Sequence, residues 1–159
     1  MALQVTSMAF REGEALPARY TCDGDGVSPP LAWAGAPEAT ESFAVLCEDP
    51  DAPRGPFIHW VLYNLPAGIR ALDEGVPPQE SFSGGGLQGV NTALRIGYTA
   101  PCPPRGQAHR YQFRVFALDQ RLDLPPRATH AQLMRALYGH VLGEGRLTGV
   151  YARTEERAA

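Results

Sequence analysis

The plainest pattern in the chain is the run Arg110–Leu118 (RYQFRVFAL), in which Tyr111, Phe113, Val115 and Ala117 alternate with Arg110, Gln112 and Arg114. Strand side chains alternate between two faces, so this spacing predicts a strand with an apolar inner face and a mostly wet outer one. Phe116 breaks the alternation, which predicts a cover over the outer face at that end. Ser42–Glu48 (SFAVLCE) and His59–Asn64 (HWVLYN) are apolar on both parities, as expected of central strands covered on both sides. Leu147–Arg153 is expected to form a last strand.

Gly and Pro recur at short intervals between these runs, so the predicted fold is mainly β. One segment has helical spacing. Leu133, Leu137 and Val141 repeat on one face, Thr129 and Gln132 have capping-box spacing, and Gly143 supplies a stop. These signals predict a helix from just after Thr129 to about Leu142, with His140 in its last turn beside the free carbonyls. Ala71–Leu94 has little periodicity and contains Pro77, Pro78, Gly84, Gly85 and Gly86. It is expected to be a long surface loop of the kind that borders a site.

Composition narrows the classes of function. The 159 residues, 44% hydrophobic and 19% charged, suit one self-sufficient domain spanning residues 1–159. A net charge of −3 without a block of like charges leaves no footprint for a nucleic acid, and no nucleic-acid partner is expected. No segment approaches the roughly 20 apolar residues that cross a bilayer, so no integral membrane association is expected. Residues 1–10 lack the charged start and apolar stretch of a secretory signal, and a cytoplasmic location is expected. Cys22, Cys47 and Cys102, odd in number and without C-x-x-C spacing, are expected as reduced thiols.

Candidate chemistry gathers at strand ends. Glu48–His59 (EDPDAPRGPFIH) sets Asp49 and Asp51 two apart around Pro50, after one strand and before the next. His59 alone could be a satisfied histidine at a core edge. His109, however, stands two residues before Tyr111 and shares its face. Where such strand starts converge, two imidazoles, a phenol and one or two carboxylates suit a small oxyanion. Imidazolium and phenol donate hydrogen bonds, and a carboxylate orients a ring and favours its charged form. Gly97–Gly106 (GYTAPCPPRG) would let backbone approach that ligand closely. Two histidines and a carboxylate could also hold a metal, but no H-E-x-x-H or comparable spacing supports one, and no metal or cofactor is expected. No G-x-S-x-G elbow, P-loop lysine or complete calcium loop is present. Ser28 and the Asp23–Asp25 stretch are therefore expected to be turn residues.

The motifs SPPLAW (Ser28–Trp33), DPDAP (Asp49–Pro53), HWVLYNLP (His59–Pro66), GYTAPCPPRG (Gly97–Gly106) and HRYQFRVFALD (His109–Asp119) occur in that order. Together they resemble the phosphatidylethanolamine-binding protein family, in particular its bacterial and archaeal branch, often labelled Raf kinase inhibitor-like. The resemblance implies an antiparallel β-sandwich with a large central sheet and one or two short helices, the main one near the C-terminus. It implies a small cavity lined by Asp49, Asp51, His59, Pro103, His109 and Tyr111 that takes phosphate or a phosphoryl head group such as phosphoethanolamine. It also implies a cis bond at Ala52–Pro53 and leaves open a homodimer. The chain departs from the bacterial pattern at Thr99-Ala100, where relatives carry a small residue and glycine, and at Ala93-Leu94, where they carry an aromatic-glycine step. It lacks the C-terminal extension of eukaryotic members. The leading expectation is a non-enzymatic anion-binding protein. Two alternatives are an inhibitor of a kinase or protease acting through its surface, and a hydrolase using His59 or His109 as general base.

Overall fold

The computed structural model describes residues 2–81 and 84–154. Its strands are β1 (Gln4–Thr6), β2 (Leu31–Ala34), β3 (Ser42–Asp49), β4 (Phe57–Pro66), β5 (Ala71–Leu72), β6 (Leu87–Gln88), β7 (Ala108–Leu118) and β8 (Val141–Ala152). A 3-10 turn occupies Ala18–Tyr20, and the α-helix α1 spans His130–Leu137, between β7 and β8. The strands form a three-stranded sheet in the order β1-β2-β5 and a five-stranded sheet in the order β6-β4-β3-β7-β8. Every pairing within them is antiparallel. The fold is thus the mainly β sandwich that the motifs implied.

The large sheet is covered on both faces, and strand parity divides its residues between two apolar layers. Phe43, Val45, Cys47, Phe113, Val115 and Ala117 pack with Val5, Leu31 and Trp33 of the small sheet. Ala44, Leu46 and Phe116 face the other way, onto Leu122, Ala128, Leu133 and Leu137. Phe116 is therefore covered as its position in the sequence required. Both layers run through β3, which is buried along nearly its whole length.

Four expectations need correction. First, the helix ends at Leu137 rather than near Leu142. The Thr129–Gln132 capping box forms and Leu133 and Leu137 are buried, but Gly139 turns the chain at φ 83°. Val141 then pairs with Leu118 and Gly143 with Ala117 in β8. Apolar spacing could not separate a third helical turn from the start of a strand. His140 accordingly lies outside the helix, with its Nδ1 2.9 Å from Asp119 Oδ1.

Second, Ala71–Leu94 is not uniformly irregular. Its first residues add β5 to the small sheet, and Leu87–Gln88 add β6 to the large one. Runs of two residues are too short to leave a period. Residues 82–83 of this segment lie outside the described residues.

Third, Cys22 and Cys102 form a disulfide with Cα atoms 5.3 Å apart, and only Cys47 is a free, buried thiol. The pair is hidden in the sequence by a separation of 80 residues. It is assembled where the 97–106 segment folds over the turn after Tyr20, with Cys22 N–H donating to Pro101 O at 3.0 Å. Fourth, no peptide bond among the described residues is cis. The turn after β3 is closed instead by Gly55, at φ 102°, whose N–H donates to Ala52 O at 3.1 Å.

Candidate functional site

Three strand ends and two turns meet at one edge of the sandwich. Asp49 continues the inward parity of Phe43, Val45 and Cys47 at the end of β3. On β7, His109 and Tyr111 precede Phe113 on the same face. These placements follow from simple alternation. His59 does not.

In β4, Trp60 pairs with Cys47 and Ile58 with Glu48, leaving His59 as the extra residue of a β-bulge. Trp60 packs in the inner layer and Ile58 in the outer one, although regular alternation would put both on one face. The bulge lets His59 point inward beside Tyr111, and Phe57 follows inward opposite Asp49. Re-aiming a side chain is a common use of a bulge next to a site.

The residues enclose a cavity of about 250 Å³, lined by Asp49, Ala52, Pro53, Phe57, His59, Thr99, Ala100, Cys102, Pro103, Pro104, His109 and Tyr111. Five of the six residues expected from the sequence are in this wall. Asp51 stands behind it. Its carboxylate accepts from Arg110 Nη2 at 2.8 Å and from Arg110 Nε and backbone N–H at 2.9 Å each. These bonds hold the Asp51 carboxyl at about 2, below its ordinary 3.8. Its backbone N–H donates to Asp49 Oδ1 at 2.8 Å, so Asp51 braces the carboxylate that does reach the cavity.

Both imidazoles are fixed through the same ring atom. His109 Nδ1 lies 2.6 Å from Asp49 Oδ2, and a carboxylate only accepts, so that nitrogen carries a proton. His59 Nδ1 lies 2.7 Å from the carbonyl of Thr99 and carries a proton for the same reason. Thr99 N–H in turn donates to His59 O at 2.9 Å. Each Nε2 is then left without a protein partner among the described residues. Neutral, it offers a lone pair; protonated, it offers a hydrogen bond and a charge.

Burial decides which form His59 favours. The ring is 5% exposed, and desolvation pulls its pKa below the usual 6.5, outweighing the Thr99 carbonyl and the Asp49 charge. Tyr111, 1% exposed, is pushed well above the ordinary phenol by burial and then by Asp49. It stays protonated. Its ring lies 5.4 Å from His59, edge-on, and 6.5 Å from His109.

Some supporting residues left no signal that the sequence reading used. Asn91, 3% exposed, donates from Nδ2 to Thr99 Oγ1 at 2.7 Å and to Gly97 O at 2.9 Å. It thereby anchors the segment that carries Thr99 and Pro103. Nothing in the spacing of a turn-rich loop distinguishes a buried asparagine from an exposed one. Phe57, its ring 4.6 Å from His59, lay inside the Glu48–His59 segment but became visible only through the bulge.

The fold is thus a β-sandwich with a small, histidine-bearing cavity at one edge. The phosphatidylethanolamine-binding protein family profile matches residues 6–152. The chain is 45% identical over 151 residues to a UPF0098 protein of Methanothermobacter thermautotrophicus, covering 95% of this chain and 99% of that one. It is 44% identical to a UPF0098 protein of Aquifex aeolicus, over 95% and 89% of the two chains. Among solved structures, CT736 of Chlamydia trachomatis, a phosphatidylethanolamine-binding protein homologue, superposes with a TM-score of 0.86 at 39% identity, covering 98% of this chain and 99% of that one. YbcL of Escherichia coli superposes with a TM-score of 0.87 at 32% identity, covering 96% and 99%. The chain belongs to the phosphatidylethanolamine-binding protein family.

Proposed function

We propose that this protein binds a small anion, phosphate or a phosphoryl head group such as phosphoethanolamine, in the cavity between β3, β4 and β7. One observation carries the reading: two buried imidazoles line the cavity and each commits Nδ1 to a fixed acceptor, which leaves Nε2 as the ring nitrogen available to a ligand. In this reading His59, His109 and Tyr111 donate to the anion's oxygens, Asp49 orients His109, and Pro103 forms part of the rim. Asp51 supports Asp49 from behind.

Binding fits the wall better than catalysis does. Cys102 is oxidised, Tyr111 holds its proton, and the Thr99 hydroxyl oxygen accepts from Asn91 Nδ2 rather than being paired with a base. A hydrolase would have to activate water with an imidazole, and the Asp49–His109 pair is the arrangement that orients a general base. Turnover of phosphate or carboxylate esters, lost in His109→Ala, is the result that would favour that reading.

Isothermal titration with inorganic phosphate and phosphoethanolamine tests the proposal. Saturable binding is expected, weakened roughly tenfold or more in His59→Ala or His109→Ala, the usual cost of losing a hydrogen bond to a charged group. Absence of binding by the intact protein would overturn it.

No helix among the described residues is long and apolar enough to cross a membrane. The cytoplasm is the proposed location, where the Cys22–Cys102 bond would be an exception to the reduced state usual for thiols there. Inhibition of a kinase or protease would be a second activity carried by the surface, and recovery of a stoichiometric partner from native extract would support it.

A further inference from the structure

We propose that the cavity selects a singly charged oxyanion over a doubly charged one, taking up a proton at His59 as the anion enters. The inference rests on the anion-binding reading and adds the charge state of the ligand.

Among the described residues lining the cavity there is no lysine or arginine; its ionisable groups are Asp49, His59, His109 and Tyr111. Three arginines adjoin lining residues in sequence and none of them is in the wall: Arg110 is committed to Asp51 by two side-chain bonds, Arg105 Nη1 donates to Thr154 O, and Arg54 is exposed to solvent. With both imidazoles protonated, the Asp49 carboxylate cancels one of them. One surplus positive charge is the most the wall can offer, and a singly charged anion consumes it. A doubly charged anion would leave a whole charge uncompensated among Ala52, Pro53, Phe57 and Pro103, whose side chains cannot solvate it.

The proton follows from the groups that face His59. From β3 comes Asp49, which favours its charged form; from β7 come His109, which opposes it, and neutral Tyr111. The 97–106 segment contributes the Thr99 carbonyl, bound to Nδ1, and the oxidised Cys102. Phe57 packs against His59 with tilted rings 4.6 Å apart and brings no charge. Desolvation by the protein outweighs the groups that favour the charged form and keeps the His59 ring neutral near pH 7. An anion against Nε2 reverses that balance, so binding and protonation are linked.

Two probes of similar size separate these effects: methanesulfonate, singly charged throughout, and methyl phosphate, which gains its second charge at about pH 6. Calorimetry of the full chain from pH 5 to 8 should show both affinities falling as pH rises, because His59 must be protonated. The methyl phosphate to methanesulfonate affinity ratio should also fall, by up to about tenfold per pH unit above pH 6, as the monoanion is depleted. Titration of methanesulfonate at pH 7 in buffers of different ionisation enthalpy should show net proton uptake. A ratio that is level or rises between pH 6 and 8, or binding without proton uptake, would overturn the inference and leave the anion site standing. No binding of either probe at any pH would overturn both.

Discussion

One inserted residue in β4 decides which way the His59 imidazole points. The sequence could not disclose it, because HWVLYN is apolar on both parities and so conceals a slip of register. His109 and Tyr111 were legible, since β7 has a wet face that makes its alternation plain. Asp49 tests the charge argument at this scale. Asp49→Asn removes the negative charge from the wall, so the methyl phosphate to methanesulfonate affinity ratio at pH 8 should rise severalfold over that of the unaltered protein. Leu94 tests the backbone. It is 85% exposed and adopts φ 61°, a conformation that costs a residue with a Cβ about 1–2 kcal/mol. Leu94→Gly should therefore raise stability by up to about 1 kcal/mol, because the loss of strain exceeds the entropy added to the unfolded chain. Urea denaturation would read this as a higher midpoint at constant slope.

At the scale of elements, the cavity depends on how the 97–106 segment is held against the ends of β4 and β7. The ties that do so include Asn91 to Gly97 and Thr99, Thr99 to His59, and Cys102 to Cys22. None was legible. Each joins residues through space, and the apolar and turn signals that reveal strands are silent about side-chain partners in loops. The disulfide closes a loop of 80 residues, for which chain entropy gives a stabilisation of about 4 kcal/mol. Replacing Cys22 by Ser should lower unfolding free energy by roughly 2–5 kcal/mol, and anion affinity should fall with it as Pro103 loses its anchor. Equal stability of the oxidised and reduced protein would contradict this account. Helix α1 shows the complementary limit of sequence signals. Its capping box and buried leucines were readable, whereas its end was set by Gly139 and by the pairing of Val141 with Leu118.

For the whole molecule, the mainly β sandwich was readable because the long strands carry either clear alternation or continuous apolar runs. The small sheet was not, since β1, β2 and β5 are too short for a period. The same buried histidines that suit an anion make the fold sensitive to acid. His59 and His130 are both depressed below 6.5, chiefly by desolvation, so below that pH the unfolded chain binds protons the folded chain resists. Their neutral burial costs nothing above pH 6.5, and stability falls as pH drops from there through their folded values. Asp51, at about 2 against an ordinary 3.8, adds a loss that begins only below pH 4 or so. The unfolding free energy measured by urea denaturation should therefore be lower at pH 5.5 than at pH 7.5. Saturating methanesulfonate should reduce that drop, since the complex stabilises the protonated His59.

The central claim is that an anion enters the cavity and meets Nε2 of both His59 and His109. Nuclear magnetic resonance of the ring nitrogens, in protein labelled at histidine, reads those atoms directly. On titration with phosphoethanolamine at pH 7, the account predicts that Nε2 of His59 moves toward its imidazolium position, that Nε2 of His109 shifts with the same saturation curve, and that His130 and His140 stay in place. Both Nε2 signals remaining fixed at saturating phosphoethanolamine and phosphate would contradict it.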